Sequence, residues 1–242
     1  MPTRNLLWTS GWDSTFRLLQ IILVEKENVQ PIYVIDKTRR SLKVEMEGIK
    51  KIQEKIKELY PEAYQRILPV WYAEEDLTIN KEIEESSKYI NSLVRLGPQY
   101  SWLAQFCHNH NLSNIEISND KNLRTDSLTY FLMTNFINAD LTNTLNQEKY
   151  NKIAPVFKHF SFPVTMLSKR DMLDIAIKNK WENIMYLTWF CHKPRKNKAC
   201  GKCTPCINVI KKQMGFRIPV VNRMKGYFKI YFSRKKSNRK LN

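Results

Sequence analysis

No apolar run in the 242 residues approaches the roughly 20 that a helical membrane span requires, so a span of that kind is not expected. The opening Met1-Pro-Thr-Arg-Asn5 leads straight into a short apolar run and carries no signal-peptide h-region. A G-x-x-x-x-G-K-[ST] motif is missing, which excludes a Walker-type phosphate site. No internal repeat is visible. Acidic residues are missing too: residues 192–242 contain 16 Lys and Arg and no Asp or Glu. The preceding 191 residues hold 24 basic against 23 acidic side chains, so nearly all of the net charge of +17 sits in the C-terminal fifth. Such a block faces nucleic acid, anionic lipid or an acidic partner, or else stands as a solvated, partly disordered tail. Its end, Gly226-Tyr-Phe-Lys-Ile-Tyr-Phe-Ser-Arg-Lys-Lys236, interleaves aromatics with cations, which favours a surface or a partner over solvation alone.

What the chain does contain is concentrated. Four of its five cysteines, Cys191, Cys200, Cys203 and Cys206, fall in the pattern C-x8-C-x2-C-x2-C. Tetrahedral zinc takes four thiolates, and short C-x2-C turns present two sulfurs to one ion. Gly201, beside Cys200, suits the tight backbone of such a knuckle. The pattern therefore predicts a structural Zn²⁺ site; an iron–sulfur cluster is the other group these ligands can hold. Four thiolates leave no position for water, so the metal staples rather than catalyses. His192 is not needed as a ligand. A thiol-rich cluster with one further cysteine and no export signal is expected in the reduced cytoplasm.

With 43% hydrophobic residues the chain can bury one full core. Short apolar runs alternate with helical patterns. Leu6-Leu7-Trp8, Pro31–Ile35, Ile67–Tyr72 and Ile115–Ile117 read as strands, and Pro69 argues that the third lies at a sheet edge. Helices are expected at about 14–26, apolar nearly all round and hence buried, and at about 44–60, with Ile49, Ile52, Ile56 and Leu59 on one face. A helix of uncertain limits is expected within 73–94. Others are expected from Pro98 to about 110, near 126–138, and near 169–180. This alternation predicts an α/β fold: a single-domain parallel sheet of about five strands with helices on both faces. Ligands of such folds bind outside the carboxyl ends of the strands, where the strand order reverses.

The residues at that end of the first strand are Thr9-Ser10-Gly11-Trp12-Asp13-Ser14-Thr15. A strand that enters a hydroxyl-rich turn with glycine, and then a helix, can bind an anion. Free N–H groups and the helix dipole favour negative charge, and hydroxyls add donors. An ordinary N-cap by Asp13 or Ser14 is the plainer alternative.

The turn resembles the S-G-G-x-D-S pyrophosphate loop of the N-type ATP pyrophosphatases (PP-loop proteins). The cysteine pattern resembles the zinc site of one branch, the 7-cyano-7-deazaguanine (preQ0) synthases. Phe162-Pro-Val-Thr-Met-Leu-Ser-Lys169-Arg-Asp171 looks like that family's Pro-Leu…Lys-x-Glu segment, and Thr188-Trp-Phe-Cys191 like its Thr-Trp-Ser-Cys. Order and approximate spacing hold over residues 4–212. The resemblance implies a HUP/Rossmann-like PP-loop core over 1–190, a zinc-binding segment over 191–215 packed on it, and a basic tail over 216–242. It also implies ATP and Mg²⁺ as cofactors, activation of a carboxylate by adenylation with release of pyrophosphate, and amidation by ammonia, as in queuosine biosynthesis. On that basis Thr9, Ser10, Gly11, Ser14 and Thr15 cradle pyrophosphate, Asp13 orients the loop or Mg²⁺, and Lys169 neutralises phosphate charge.

The chain departs from the family at three places. Ser10 stands where the loop has its first glycine, adding a Cβ where the backbone needs a positive φ. Arg95-Leu-Gly-Pro-Gln99 replaces Val-Pro-Gly-Arg-Asn, without the arginine. The Tyr-Pro-Asp-Cys-Arg stretch has no counterpart in Ser118–Asp126. His108 and His110 are expected to be ordinary helix residues, and Lys37-Thr-Arg39-Arg40 is either a phosphate or ribose contact or a solvated loop. Three functions follow as expectations. The first is a carboxylate-activating ligase whose substrate is 7-carboxy-7-deazaguanine or a diverged carboxylate. The second is an RNA-modifying PP-loop enzyme using residues 192–242. The third is a non-catalytic PP-loop-derived binding protein. An oligomer is compatible with each.

Overall fold

Strands β1 (Thr3–Leu7), β2 (Asn28–Ile35), β3 (Trp71–Glu74), β4 (Ile115–Glu116) and β5 (Phe160–Ser161) form one sheet in the computed structural model, which describes residues 2–74 and 78–238. The order is β3-β2-β1-β4-β5 and every pairing is parallel. The chain steps outward from β1 through β2 to β3, then returns to the other side of β1 for β4 and β5. The reversal therefore lies between β1 and β4, and loops leaving their carboxyl ends flank one crevice.

Side-chain alternation along the strands divides the core in two. Leu6, Trp8, Val29 and Tyr33 face one layer, while Leu7, Ile32 and Val34 face the other. The first layer is built by α1 (Trp12–Leu19), α2 (Leu42–Leu59) and α3 (Pro61–Tyr64). The second is built by α4 (Lys81–Leu93), α5 (Pro98–Asn109), α6 (Leu128–Leu132) and α7 (Thr144–Phe157). Later elements return to the first layer: α8 (Lys169–Lys178), α9 (Glu182–Met185) and α10 (Thr204–Lys211). Helix α11 (Val220–Asn238) closes the described chain. Cys191, Cys200 and Cys206 belong to the same buried cluster as Leu6 and Phe16, so the cysteine segment is part of this core.

Helix α1 is buried on nearly every side, as its sequence predicts, and a π-helical turn over Gln20–Glu25 extends it. Its one cation, Arg17, is 6% exposed. The guanidinium donates from Nε (2.6 Å) and Nη2 (2.8 Å) to the two carboxylate oxygens of Glu116 on β4, itself 4% exposed. It also pairs with Glu25. Burial works against the charge of Arg17, but its hydrogen bonds to both glutamates outweigh that and hold its pKa above the ordinary value.

Several elements differ from the sequence-based expectation. The third strand starts at Trp71 rather than Ile67: Pro69 has no N–H for the ladder, and Ile67 makes only an isolated bridge to Val29. It does lie at the sheet edge, as Pro69 argues. In the polar stretch 73–94 the helix begins at Lys81, capped by Asn80, and residues 75–77 lie outside the described residues. The sheet has the expected five strands, but the sequence patterns assign no residues to the fifth, β5, to helix α7 or to a helix from Val220 to Asn238; residues 239–242 of the basic tail lie outside the described residues.

His159, just before β5, donates from Nδ1 to the Leu112 carbonyl at 2.9 Å, while its Nε2 is buried without a partner. Burial lowers its pKa, so the folded state keeps the ring neutral. Its contribution to stability should be complete above its unfolded pKa of about 6.5 and shrink as the pH falls through the lower folded value. Urea denaturation between pH 7.5 and 5 should show this loss, and a shallower slope in His159→Gln.

Candidate functional site

The four-cysteine cluster, a candidate metal site, is built by three short pieces of chain. Cys191 ends the stretch after α9, Cys200 and Cys203 sit on a tight turn, and Cys206 lies in the first turns of α10. The long spacer between Cys191 and Cys200 folds back on itself. Arg195 and Lys198 exchange backbone hydrogen bonds of 3.0 Å around Lys196 and Asn197, both at positive φ. The four sulfurs lie within 4.8 Å of one another. Three of the separations are 3.4, 3.8 and 3.9 Å. Four Zn–S bonds of about 2.3 Å at tetrahedral angles put sulfurs about 3.8 Å apart, so the cluster fits zinc as it stands. Backbone N–H groups of Cys200 and Cys203 donate to the sulfurs of Cys191 and Cys200, at 3.2 and 3.4 Å. Gly201 has φ +76, and a Cβ there would come within 1.9 Å of the Asn222 carbonyl on α11. Only glycine permits both the turn and that contact.

The fifth cysteine, Cys107, is fully buried in α5, and burial pushes its thiol up to about 12. It takes no part in the cluster. His108 is an ordinary helix residue in contact with Asn80, and His110, the C-cap of α5, packs on Phe106 with ring centroids 4.5 Å apart. His192 lies outside the four-sulfur set and instead lines the central cleft.

That cleft, about 630 Å³, opens at the carboxyl ends of the central strands. Thr9, Gly11, Asp13 and Ser14 line it, together with Thr38 and Arg39 from the loop after β2. Gly11 is the N-cap of α1 and no side chain caps the helix, so the N-cap alternative for Asp13 or Ser14 does not hold. The first N–H groups of α1 are left for another acceptor. Asp13 is held by Lys169, whose Nζ lies 2.5 and 2.6 Å from the two carboxylate oxygens. Lys169 is the first residue of α8, fixed by a reciprocal capping box between Ser168 and Asp171. Burial pushes the Asp13 carboxyl above its ordinary pKa, and the Lys169 ammonium pulls against it.

Two loop residues turn away from the cleft. Thr15 is fully buried and its Oγ1 accepts from Trp8 Nε1 at 3.0 Å. Ser10 has φ +53 and no exposed surface, and its hydroxyl is without a partner. That hydroxyl abuts Gly48 of α2, where an added Cβ would lie 2.8 Å from it. Only the Ser10 backbone is tied in, its carbonyl accepting from Trp189 N–H at 2.8 Å. The left-handed conformation costs a non-glycine residue about 1 kcal/mol. Ser10→Gly should therefore raise stability by about that amount in chemical denaturation. Gly48→Ala should destabilise the parent protein but be tolerated in the Ser10→Gly background.

Further residues at the site carried no sequence signal of their own. Asp120, after β4, pairs with Lys212 and stands close enough to raise the Asp13 pKa. Arg217 lies over the rings of Trp12 and Phe190, 4.8 and 4.9 Å from their centroids, and bonds to Thr188. Burial lowers its pKa to about 10. Trp12 Nε1, Trp102 Nε1 and Ser118 Oγ belong to cleft-lining residues and are buried without hydrogen-bond partners. Buried donors are rarely left unpaired unless something else meets them. The crevice thus joins the uncapped start of α1 to Asp13, Asp36, Arg39 and His192, with the Lys169–Asp13 and Lys212–Asp120 pairs at and beside it. No protein-family model and no curated protein matches the chain.

Proposed function

We propose that this chain is a PP-loop ATP pyrophosphatase-type enzyme, an ATP-dependent carboxylate-activating ligase related to the 7-cyano-7-deazaguanine synthases. The observation that carries the proposal is the uncapped start of α1, which opens on the cleft between Thr9, Gly11 and Ser14. ATP would lay its β- and γ-phosphates there and supply, with Mg²⁺, an activated carboxyl and a stabilised leaving group. The N–H groups of α1 and the hydroxyls of Thr9 and Ser14 would hold those phosphates in place. Fixed donors of this kind act most strongly on charge that develops at the leaving oxygen. Lys169, kept at the loop by Asp13, adds positive charge where that negative charge gathers, and Asp13 is the loop carboxylate able to meet Mg²⁺. Ser10 contributes backbone geometry only.

The acceptor end of the cleft differs from the family pattern. Leu96, Gln99 and Ser118 line it where the family has other residues, so a diverged carboxylate is favoured over a fixed substrate identity. Trp12 and Trp102 give this part of the cleft an aromatic lining, which suits a planar ring.

Incubating the zinc-replete protein with ATP, Mg²⁺, ammonia and 7-carboxy-7-deazaguanine, and following AMP by mass spectrometry, tests this directly. AMP with a nitrile product establishes activity and substrate together, and Asp13→Ala should then lose about 100-fold in rate. ATP bound without AMP points to another carboxylate. A second possibility, a PP-loop-derived binding protein without turnover, draws on the Ser10 hydroxyl being turned from the cleft; absence of AMP with every carboxylate offered would favour it.

A further inference from the structure

Helix α11 docks on the cysteine segment by a narrow polar and small-residue stripe. Asn222 Nδ2 donates to the Ala199 carbonyl at 2.8 Å, and a Cβ on Gly226 would lie 2.6 Å from the Gly201 carbonyl. Ile230, one further turn along, is half-buried against the first core layer. Asn222, Gly226 and Ile230 follow at i, i+4 and i+8, so this stripe is one helix face.

The opposite face is apolar and exposed among the described residues. Val220, Val221 and Met224, followed by the aromatic run Tyr227, Phe228, Tyr231 and Phe232, are between 49% and 71% exposed. At about 100° per residue these seven side chains occupy a continuous arc of roughly 140°, centred opposite the docked stripe. Arg223 stands at one margin of the arc, and Lys225 and Lys229 at the other. The second margin continues into a groove of about 510 Å³ lined by Lys193, Arg195 and Lys202 and by no acidic residue.

We propose that α11 is an interfacial helix that seats this protein on an anionic lipid bilayer, its apolar arc in the headgroup–acyl boundary and its flanking cations on lipid phosphates. Four aromatic rings in fewer than two turns, Tyr227 to Phe232, suit the depth at which amphipathic rings settle. Cations at the margins, with the arc aimed away from the protein body, fit a helix lying in the membrane plane. Charge complementarity selects the occupant. A second copy would bring two acid-free cationic helices face to face, and like charges at close range oppose such pairing. A duplex RNA would use the cations but leave the apolar arc in water, and a single strand could stack bases on the four rings but would leave Val220, Val221 and Met224 uncovered. None of the described helices is long and apolar enough to cross a bilayer, so the attachment would be peripheral.

Flotation of the full chain with phosphatidylcholine vesicles, with and without about 30 mol% phosphatidylglycerol, at low and physiological salt, tests the proposal. Binding is expected only to the anionic vesicles, weakened by salt, and reduced about tenfold or more in Phe228→Ser/Phe232→Ser. Both positions are exposed, so zinc content and the melting temperature of that variant should match the parent. No association with anionic vesicles at low salt would overturn the proposal. So would association that the double substitution leaves unchanged, because cations alone would then account for it. Sedimentation as a dimer that the same substitutions dissolve, or retention by an unstructured RNA but not by vesicles, would overturn it in favour of those partners.

Discussion

Cys206→Ser is expected to cost the protein most of its fold, not one local contact. A structural zinc site in a small peptide is worth on the order of 10–16 kcal/mol at neutral pH, while whole domains are stable by only about 5–15 kcal/mol. Here the cluster is not an appendage. Cys191, Cys200 and Cys206 lie in the same buried layer as Leu6, Trp8 and Phe16. The turn around Gly201 also carries the docking surface of α11. Metal analysis should find one zinc per chain and a colourless protein; a brown protein with iron would place a cluster there instead. Chelation, or Cys206→Ser, should lower the melting transition by tens of degrees or abolish it, with loss of the near-ultraviolet signal of the buried tryptophans. Cys107→Ser, outside the cluster, should keep the zinc.

Arg17→Leu is the second large effect expected. Removing one member of a buried charge pair leaves the other unpaired in the core, at a cost of about 3–5 kcal/mol. Glu116 has no surface to escape to, being 4% exposed on β4 beneath α1. The paired substitution Arg17→Leu/Glu116→Leu should recover most of that loss, since a buried ion pair replaced by apolar groups is often close to neutral. Glu25, the third member of the network, is partly exposed and can turn to water. Urea denaturation of the two variants and the parent measures the coupling; equal costs for the single and double variants would mean that Arg17 matters for packing alone.

The amphipathic helices and the parallel sheet were legible because their signals are local. The burial of Ile49, Ile52 and Ile56 is their spacing, and the start of α5 is Pro98. The cysteine site was legible for the same reason: four ligands of one chemistry at short spacings. Helix α7 was not, because its buried residues crowd the C-terminal end at Ile153, Pro155, Val156 and Phe157 and leave no periodic stripe. Strand β5 is only two residues long, too short for alternation to show. The tail pattern suggested a surface or a partner, but its docking depends on Gly201 and Gly226 meeting across 25 residues, which no window of sequence contains.

In the candidate site the split is similar. Thr9, Gly11, Asp13, Ser14 and Lys169 come together as the motifs suggest, with Lys169 reaching Asp13 across 156 residues. Ser10 and Thr15 share the motif but not the cleft, because a side chain's direction on a turn depends on the backbone φ and on the neighbouring helix. Asp120, Lys212 and Arg217 join the site through tertiary packing alone.

Titrating Mg·ATP into the zinc-replete protein, beside a Ser14→Asp variant, tests the central claim most directly. Ser14 lines the cleft one residue from Asp13, so an added carboxylate there would face the incoming phosphates. Saturable binding to the parent, weakened about 100-fold or more by the new like charge, is the predicted result. No ATP binding, or binding that Ser14→Asp leaves intact, would contradict the assignment of the β1–α1 turn as the phosphate site.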